Sequence, residues 1–205
     1  MIRILAADDH AIVREGIANL IETQSDMQLV AEAGDGREAV EQFRKHHPDI
    51  TLMDLQMPRM SGIDAIHAIR GECHDARIIV LTTYSGDVQV KRALQAGAQG
   101  YLLKDSLRKE LLDTIRAVHA GQKRLSSEIA AAIAEHAIDT GLTAREISVL
   151  KLIAGGNANK EIAAQLHISE ESTKGYVKNI LLKLGANDRT HAVTIGLRRG
   201  IIDLE

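Results

Sequence analysis

The sequence predicts an α/β domain on a five-stranded, doubly wound parallel sheet, followed by an all-α domain of four helices. Three observations predict it. Through the first 120 residues short apolar runs alternate with amphipathic stretches, the pattern of repeated βα units. Four of those runs end in charged or hydroxyl side chains. After Gly121 the alternation stops and only helical periodicity continues.

Strands are expected near residues 2–7, 28–33, 49–53, 77–82 and 100–103. Helices fall between them, near 11–23, 36–46, 62–70, 87–97 and 107–120. In the first helix Ile12, Val13, Ile17, Leu20 and Ile21 are read as one buried face. Gly34, Gly71, Gly97 and Gly121 mark element ends. Right-handed crossovers then place helices on both faces of the sheet. Ser126 to Ala134 reads as a linker helix with a serine N-cap, broken by Asp139-Thr140-Gly141. Four helices follow near 144–154, 159–166, 170–184 and 188–199. Thr143-Ala144-Arg145-Glu146 fits a capping box, and Gly155-Gly156, Gly185 and Gly200 stop helices. The expected division is a first domain over 1–121, a linker over 122–140 and a second domain over 141–205.

Composition narrows the function classes. One Phe, three Tyr and no Trp mean cores of Ile, Leu, Val and Ala. Residues 1–122 carry 14 basic and 18 acidic groups, and residues 141–205 carry 9 and 7. An acidic front and a mildly basic back suggest domains with different partners. Cys73 is the only cysteine, which excludes an intrachain disulfide and a thiolate metal site. The first apolar run is too short for a signal peptide or membrane span, so a cytoplasmic protein is expected.

The strand ends carry the chemistry. Asp8 and Asp9 end the first run, Asp54 the third, Thr82 the fourth and Lys104 the fifth. A parallel open sheet gathers its carboxyl ends along one edge, where ligands bind. Three carboxylates there raise one another's pKa or recruit a cation. Mg²⁺ suits the set, because it takes one or two carboxylates and keeps sites for water and phosphate oxygens. Asp54 could then attack phosphorus and become an acyl phosphate. Lys104 would neutralise a phosphoryl oxygen and Thr82 would donate to another. His10 is read as a helix-start residue without a chemical role.

The first 120 residues resemble the receiver domain of two-component response regulators, a flavodoxin-like fold. The resemblance lies in Ala7-Asp8-Asp9-His10, Met53-Asp54-Leu55-Gln56-Met57-Pro58, Leu81-Thr82-Thr83 and Tyr101-Leu102-Leu103-Lys104. It implies that Asp54 accepts a phosphoryl group from a sensor histidine kinase. It implies Mg²⁺ on Asp9, Asp54 and the backbone carbonyl of Gln56, with Asp8 acting through water. Thr82 and Tyr101 become the switch pair, and Gln56 and Tyr84 flank the water that attacks the phosphate.

In the second domain, Asn159 to Leu166, a short turn and a further helix read as helix-turn-helix. Val177, Ile180, Leu181 and Leu184 form the buried stripe, leaving Lys174, Gly175, Lys178 and Leu182 opposite. Lys174 and Lys178, one turn apart, would point together into a major groove or along its phosphates, while Lys160 and Lys183 could contact backbone phosphate. Residues 141–200 resemble the LuxR-type module of NarL/FixJ regulators, through Leu142-Thr143-Ala144-Arg145-Glu146, Asn159-Lys160-Glu161-Ile162-Ala163, Lys174, Asn179-Ile180-Leu181 and Lys183-Leu184-Gly185. That resemblance implies that Lys174, Gly175 and Lys178 face base edges of double-stranded DNA. It also implies that Ala192, Val193, Ile195 and Gly196 pack one module against another. Ala158 replaces the usual hydroxyl cap, with Asn157 as the expected substitute.

Together these features describe a regulator, not a dedicated enzyme, in which phosphorylation drives homodimerisation and binding to an operator repeat. One rival is a phosphotransfer or protein-interaction regulator without specific DNA binding. Another is a hydrolase working through an aspartyl phosphate, but Gln56 stands where its general base would be.

Overall fold

A computed structural model describes residues 1–83, 87–125, 129–130 and 141–202. The chain divides into two compact units, residues 1–83 with 90–130 and residues 84–89 with 131–205.

The first unit is an all-parallel sheet in the order β2-β1-β3-β4-β5-β6. Its strands are β1 (Ile2–Ala7), β2 (Met27–Ala33), β3 (Ile50–Asp54), β4 (Ile78–Thr82), β5 (Gly100–Leu103) and β6 (Arg124–Leu125). Between them run α1 (Ala11–Glu22), α2 (Gly36–His46), α3 (Gly62–Glu72), α4 (Asp87–Ala96) and α5 (Leu107–His119). Strands β3 and β4 are buried at every residue, which is what unbroken apolar runs mean in a sheet covered on both faces. Helix α1 packs with α5 over a core of Ile4, Ile50, Leu52, Ile79, Leu81 and Leu102, and α2 packs with α3.

Two expectations are corrected here. The sheet has six strands, not five, because Arg124 and Leu125 pair with Gly100 and Tyr101. Two residues, one of them an exposed arginine, carry no readable strand periodicity. Ile12 is 78% exposed, and the buried face of α1 is Ile17 and Ile21 with Val13 and Leu20. At about 100° per residue, Ile12 stands well round the helix from Ile17. The linker helix expected over 126–134 lies outside the described residues except for helical Ile129 and Ala130.

Close backbone approach dictates two glycines. A Cβ on Gly62 would lie 1.9 Å from the Asp54 carbonyl oxygen, and one on Gly36 2.5 Å from the Met60 carbonyl oxygen. Only glycine lets α3 start so close to the end of β3.

The second unit holds α6 (Ala144–Ala154), α7 (Asn159–Gln165), α8 (Glu170–Leu184) and α9 (Arg189–Arg198). They enclose Val149, Leu150, Ile153, Ile162, Ile180 and Ala192. Both halves of the Thr143–Glu146 capping box form, and Gly185 ends α8 at φ 62°. Asn157 does not cap α7. Its amide donates to the Leu152 carbonyl, and the Glu161 carboxylate takes the Ala158 N–H at 2.6 Å.

Glu146 ties this unit together. Its buried carboxylate accepts from the Thr143 N–H at 2.7 Å, the Thr143 hydroxyl at 2.9 Å and the Lys183 ammonium at 2.7 Å. Burial pushes the carboxyl up, but Lys183 and Thr143 outweigh it and hold it below the usual range.

Gly62→Ala should destabilise the first unit by about 3 kcal/mol through overpacking, read as a fall in denaturant midpoint. Gly16→Ala, where a Cβ meets nothing within 4 Å, should leave that midpoint unchanged or raise it. Glu146→Gln should cost about 1–3 kcal/mol at neutral pH. Because the folded carboxyl is depressed, its contribution is present above the unfolded pKa of about 4.3 and is lost as pH falls through the folded value. The gap between wild type and variant in thermal midpoint should therefore close in acid.

Candidate metal centre and nucleic-acid interface

Parallel register delivers the strand-end residues to one edge. Ala7 pairs with Met53, Asp54 with Leu81 and Thr82 with Leu103, so the chain leaves each strand at the same level. Asp8 and Asp9 follow β1, Asp54 and Thr82 close β3 and β4, and Lys104 opens a 3-10 turn after β5.

The Lys104 Nζ lies 2.7 Å from Asp8 Oδ2 and 2.8 Å from Asp54 Oδ2, with all three side chains buried or nearly so. Burial opposes the ammonium, yet its bonds to Asp54 and Asp8 dominate and push its pKa up. One ammonium cannot neutralise two carboxylates. Burial accordingly pushes Asp54 up, Lys104 opposes, and the Asp8 charge adds to the rise. The Gln56 N–H also donates to Asp54 Oδ1 at 3.2 Å.

Asp9 stands at the mouth, a third exposed, with His10 Nδ1 2.6 Å from its Oδ1. Ligand atoms of Asp8, Asp9, His10 and Asp54 all lie within 4.8 Å of one another. Three hard carboxylates around one ammonium leave a local negative excess, and that donor set fits a small divalent cation. Sequence reading treated His10 as a bystander; its contact with Asp9 brings it into the cluster.

Thr82 and Tyr101 are both buried beside this edge. Burial pushes the Tyr101 phenol well up, the neighbouring Thr82 hydroxyl opposes and the Asp54 charge adds to the shift. Tyr84, expected to flank the attacking water, lies outside the described residues.

On α8, Lys174, Gly175, Lys178 and Leu182 are exposed, as is Lys160 on α7. Lys174 lies 3.7 Å from Glu170 and 3.6 Å from Glu171 of its own helix. Four residues of the expected contact set are engaged inside their own unit. Lys183 is turned inward onto buried Glu146, a strut within the module. Ala192 and Gly196 are buried in their own unit, and a Cβ on Gly196 would lie 2.9 Å from Leu150 Cδ2. Val193 packs on the same core, which leaves half-buried Ile195 as the one residue of that set outside it.

Comparison with known proteins gives the family. A family model described as "Response regulator receiver domain" matches residues 4–116, and one described as "Bacterial regulatory proteins, luxR family" matches residues 140–195. The chain is 42% identical to the transcriptional regulatory protein YdfI of Bacillus subtilis (strain 168), over 100% of both chains. It is 40% identical to the transcriptional regulatory protein LiaR of the same organism, over 99% of this chain and 100% of that one. Among solved structures, a complex of the two-component response regulator RcsB with DNA matches at TM-score 0.73 and 26% identity, covering 96% of this chain and 98% of that one. The receiver domain and the LuxR-type domain that follows it in the sequence identify the chain as a two-component response regulator that acts on transcription by binding DNA.

Proposed function

We propose that Asp54 is the phosphoacceptor, and that its phosphorylation by a sensor histidine kinase drives homodimerisation and operator binding. The observation that carries this is the buried Asp54 carboxylate, held by Lys104 within an acidic cluster of cation-binding size. Asp9, Asp54 and the Gln56 backbone carbonyl would hold Mg²⁺, with Asp8 reaching it through water. When bound, the cation would offset the carboxylate charge and allow an anionic phosphodonor to approach.

The chain's own groups account for the rest. The Asp54 carboxylate attacks phosphorus, the new O–P bond forms, and the P–N bond to the kinase imidazole breaks. Lys104 sits within reach of a phosphoryl oxygen on Asp54, which it meets as a point charge. Thr82 donates to a second oxygen, and Tyr101 behind it reports the change to the surface of a receiver domain over 1–121. Joined through the 122–140 linker, the 141–205 domain reads DNA with Lys174, Gly175 and Lys178, and Lys160 contacts phosphate. Two copies would read repeats about one helical turn apart. This assigns the protein to the cytoplasm as a regulator and not a dedicated enzyme. Among the described residues no helix is long and apolar enough to cross a membrane.

Sedimentation velocity with Mg²⁺ and beryllofluoride tests the switch. Wild type should move from monomer to dimer while Asp54→Ala does not; a shift in neither would refute control by dimerisation in solution. Lys178→Ala should weaken binding to a selected operator and reduce the salt slope by about 1. Lys183→Ala should instead lower the thermal midpoint and leave the salt slope close to wild type.

A further inference from the structure

We propose that Arg14 and Arg59 are positioning residues for the metal site, tying the two loops that carry its ligands to one anchor, the β2–α2 corner. The inference rests on the reading of Asp9, Asp54 and Gln56 as Mg²⁺ ligands.

The first loop joins β1 to α1. The Asp8 N–H donates to the Ala33 carbonyl at 3.0 Å, and the Asp8 carbonyl accepts from Arg14 at 2.7 Å. The same guanidinium donates through Nε to Glu32 Oε2 at 3.0 Å. Arg14 therefore bridges the backbone just before Asp9 to the end of β2.

The second loop joins β3 to α3 and includes Gln56. Its Arg59 pairs with Asp35 Oδ2, while Asp35 Oδ1 caps α2 by accepting from the Arg37 N–H at 2.7 Å and the Glu38 N–H at 3.0 Å. Asp35 is buried and Arg59 largely exposed. Arg59 adopts φ 65°, a left-handed conformation that an arginine holds only when its surroundings over-determine it. The next residue, Met60, lies over Gly36 so closely that no Cβ fits there. Two independent features thus fasten this loop to the same corner.

Neither guanidinium pairs with Asp9 or Asp54, so both act through loop backbone. Mg²⁺ demands near-ideal octahedral geometry, which makes its affinity sensitive to the spacing between an Asp9 carboxylate and a Gln56 carbonyl on separate loops. Electrostatics and positioning predict opposite signs. Removing a positive charge near a cation site should strengthen Mg²⁺ binding by Coulomb attraction alone. Weaker binding after removal of Arg59 requires the positioning role.

The test is calorimetric titration of the full chain with Mg²⁺, alongside thermal midpoints in Mg²⁺-free buffer. Arg59→Ala should raise the Mg²⁺ Kd about tenfold, with Arg59→Lys between it and wild type. Arg14→Lys keeps the charge but loses the fork that spans Glu32 and the Asp8 carbonyl, so it should weaken binding too. Arg37→Ala, an exposed charge on α2, should bind as wild type or more tightly. Arg59→Ala binding Mg²⁺ as tightly as wild type, or more tightly, overturns the positioning role while the site itself stands. Wild type failing to bind, or Asp54→Ala binding equally well, overturns the metal reading and this inference with it.

Discussion

The structure turns on one ammonium shared between two buried carboxylates. Lys104 lies within 2.8 Å of both Asp8 and Asp54, and both acids are buried. Without the lysine two like charges would face one another at close range with no cation between them. With it a negative excess remains, and Asp9 at the mouth enlarges it. The site is thereby poised for a cation.

The sheet makes this arrangement reproducible. All strands run the same way and β1, β3, β4 and β5 pair in even register, so residues far apart in sequence leave the sheet at one level. Strands β3 and β4 are buried throughout, so the polar residues at their ends have little freedom to retreat from one another. Gly62 then lets α3 begin against the Asp54 backbone, and the loop between them folds back over α2. In the second unit Glu146 has the matching office, pinning the recognition helix α8 through Lys183 to the start of α6.

What was legible in the sequence follows a physical division. Strand ends, caps and helix stops are local signals, and Asp54, Lys104 and the Thr143–Glu146 box were read from them. Long-range side-chain partnerships are not local. Lys183 looked like a surface cation because its partner Glu146 lies 37 residues away. Ala192 and Gly196 were placed at an interface by resemblance alone, and their burial against the core of their own unit is a long-range contact that no local signal carries. Ile12 illustrates the limit of periodicity, since an apolar residue beside a buried stripe need not belong to it. Arg14 and Arg59 carried no sequence signal, because their partners, the Asp8 carbonyl and Glu32 for one and Asp35 for the other, come near only in the folded chain. The two-residue β6 is set by its pairing to β5 and not by its own composition.

Intact-mass and peptide mass spectrometry after incubation with a small-molecule acyl phosphate, with and without Mg²⁺, tests the central claim most directly. The account predicts the mass of one phosphoryl group on the peptide bearing Asp54, dependent on Mg²⁺, absent in Asp54→Asn and strongly reduced in Lys104→Met. A phosphoryl group on another residue, or one on Asp54 that forms equally well without Mg²⁺ and without Lys104, would contradict it.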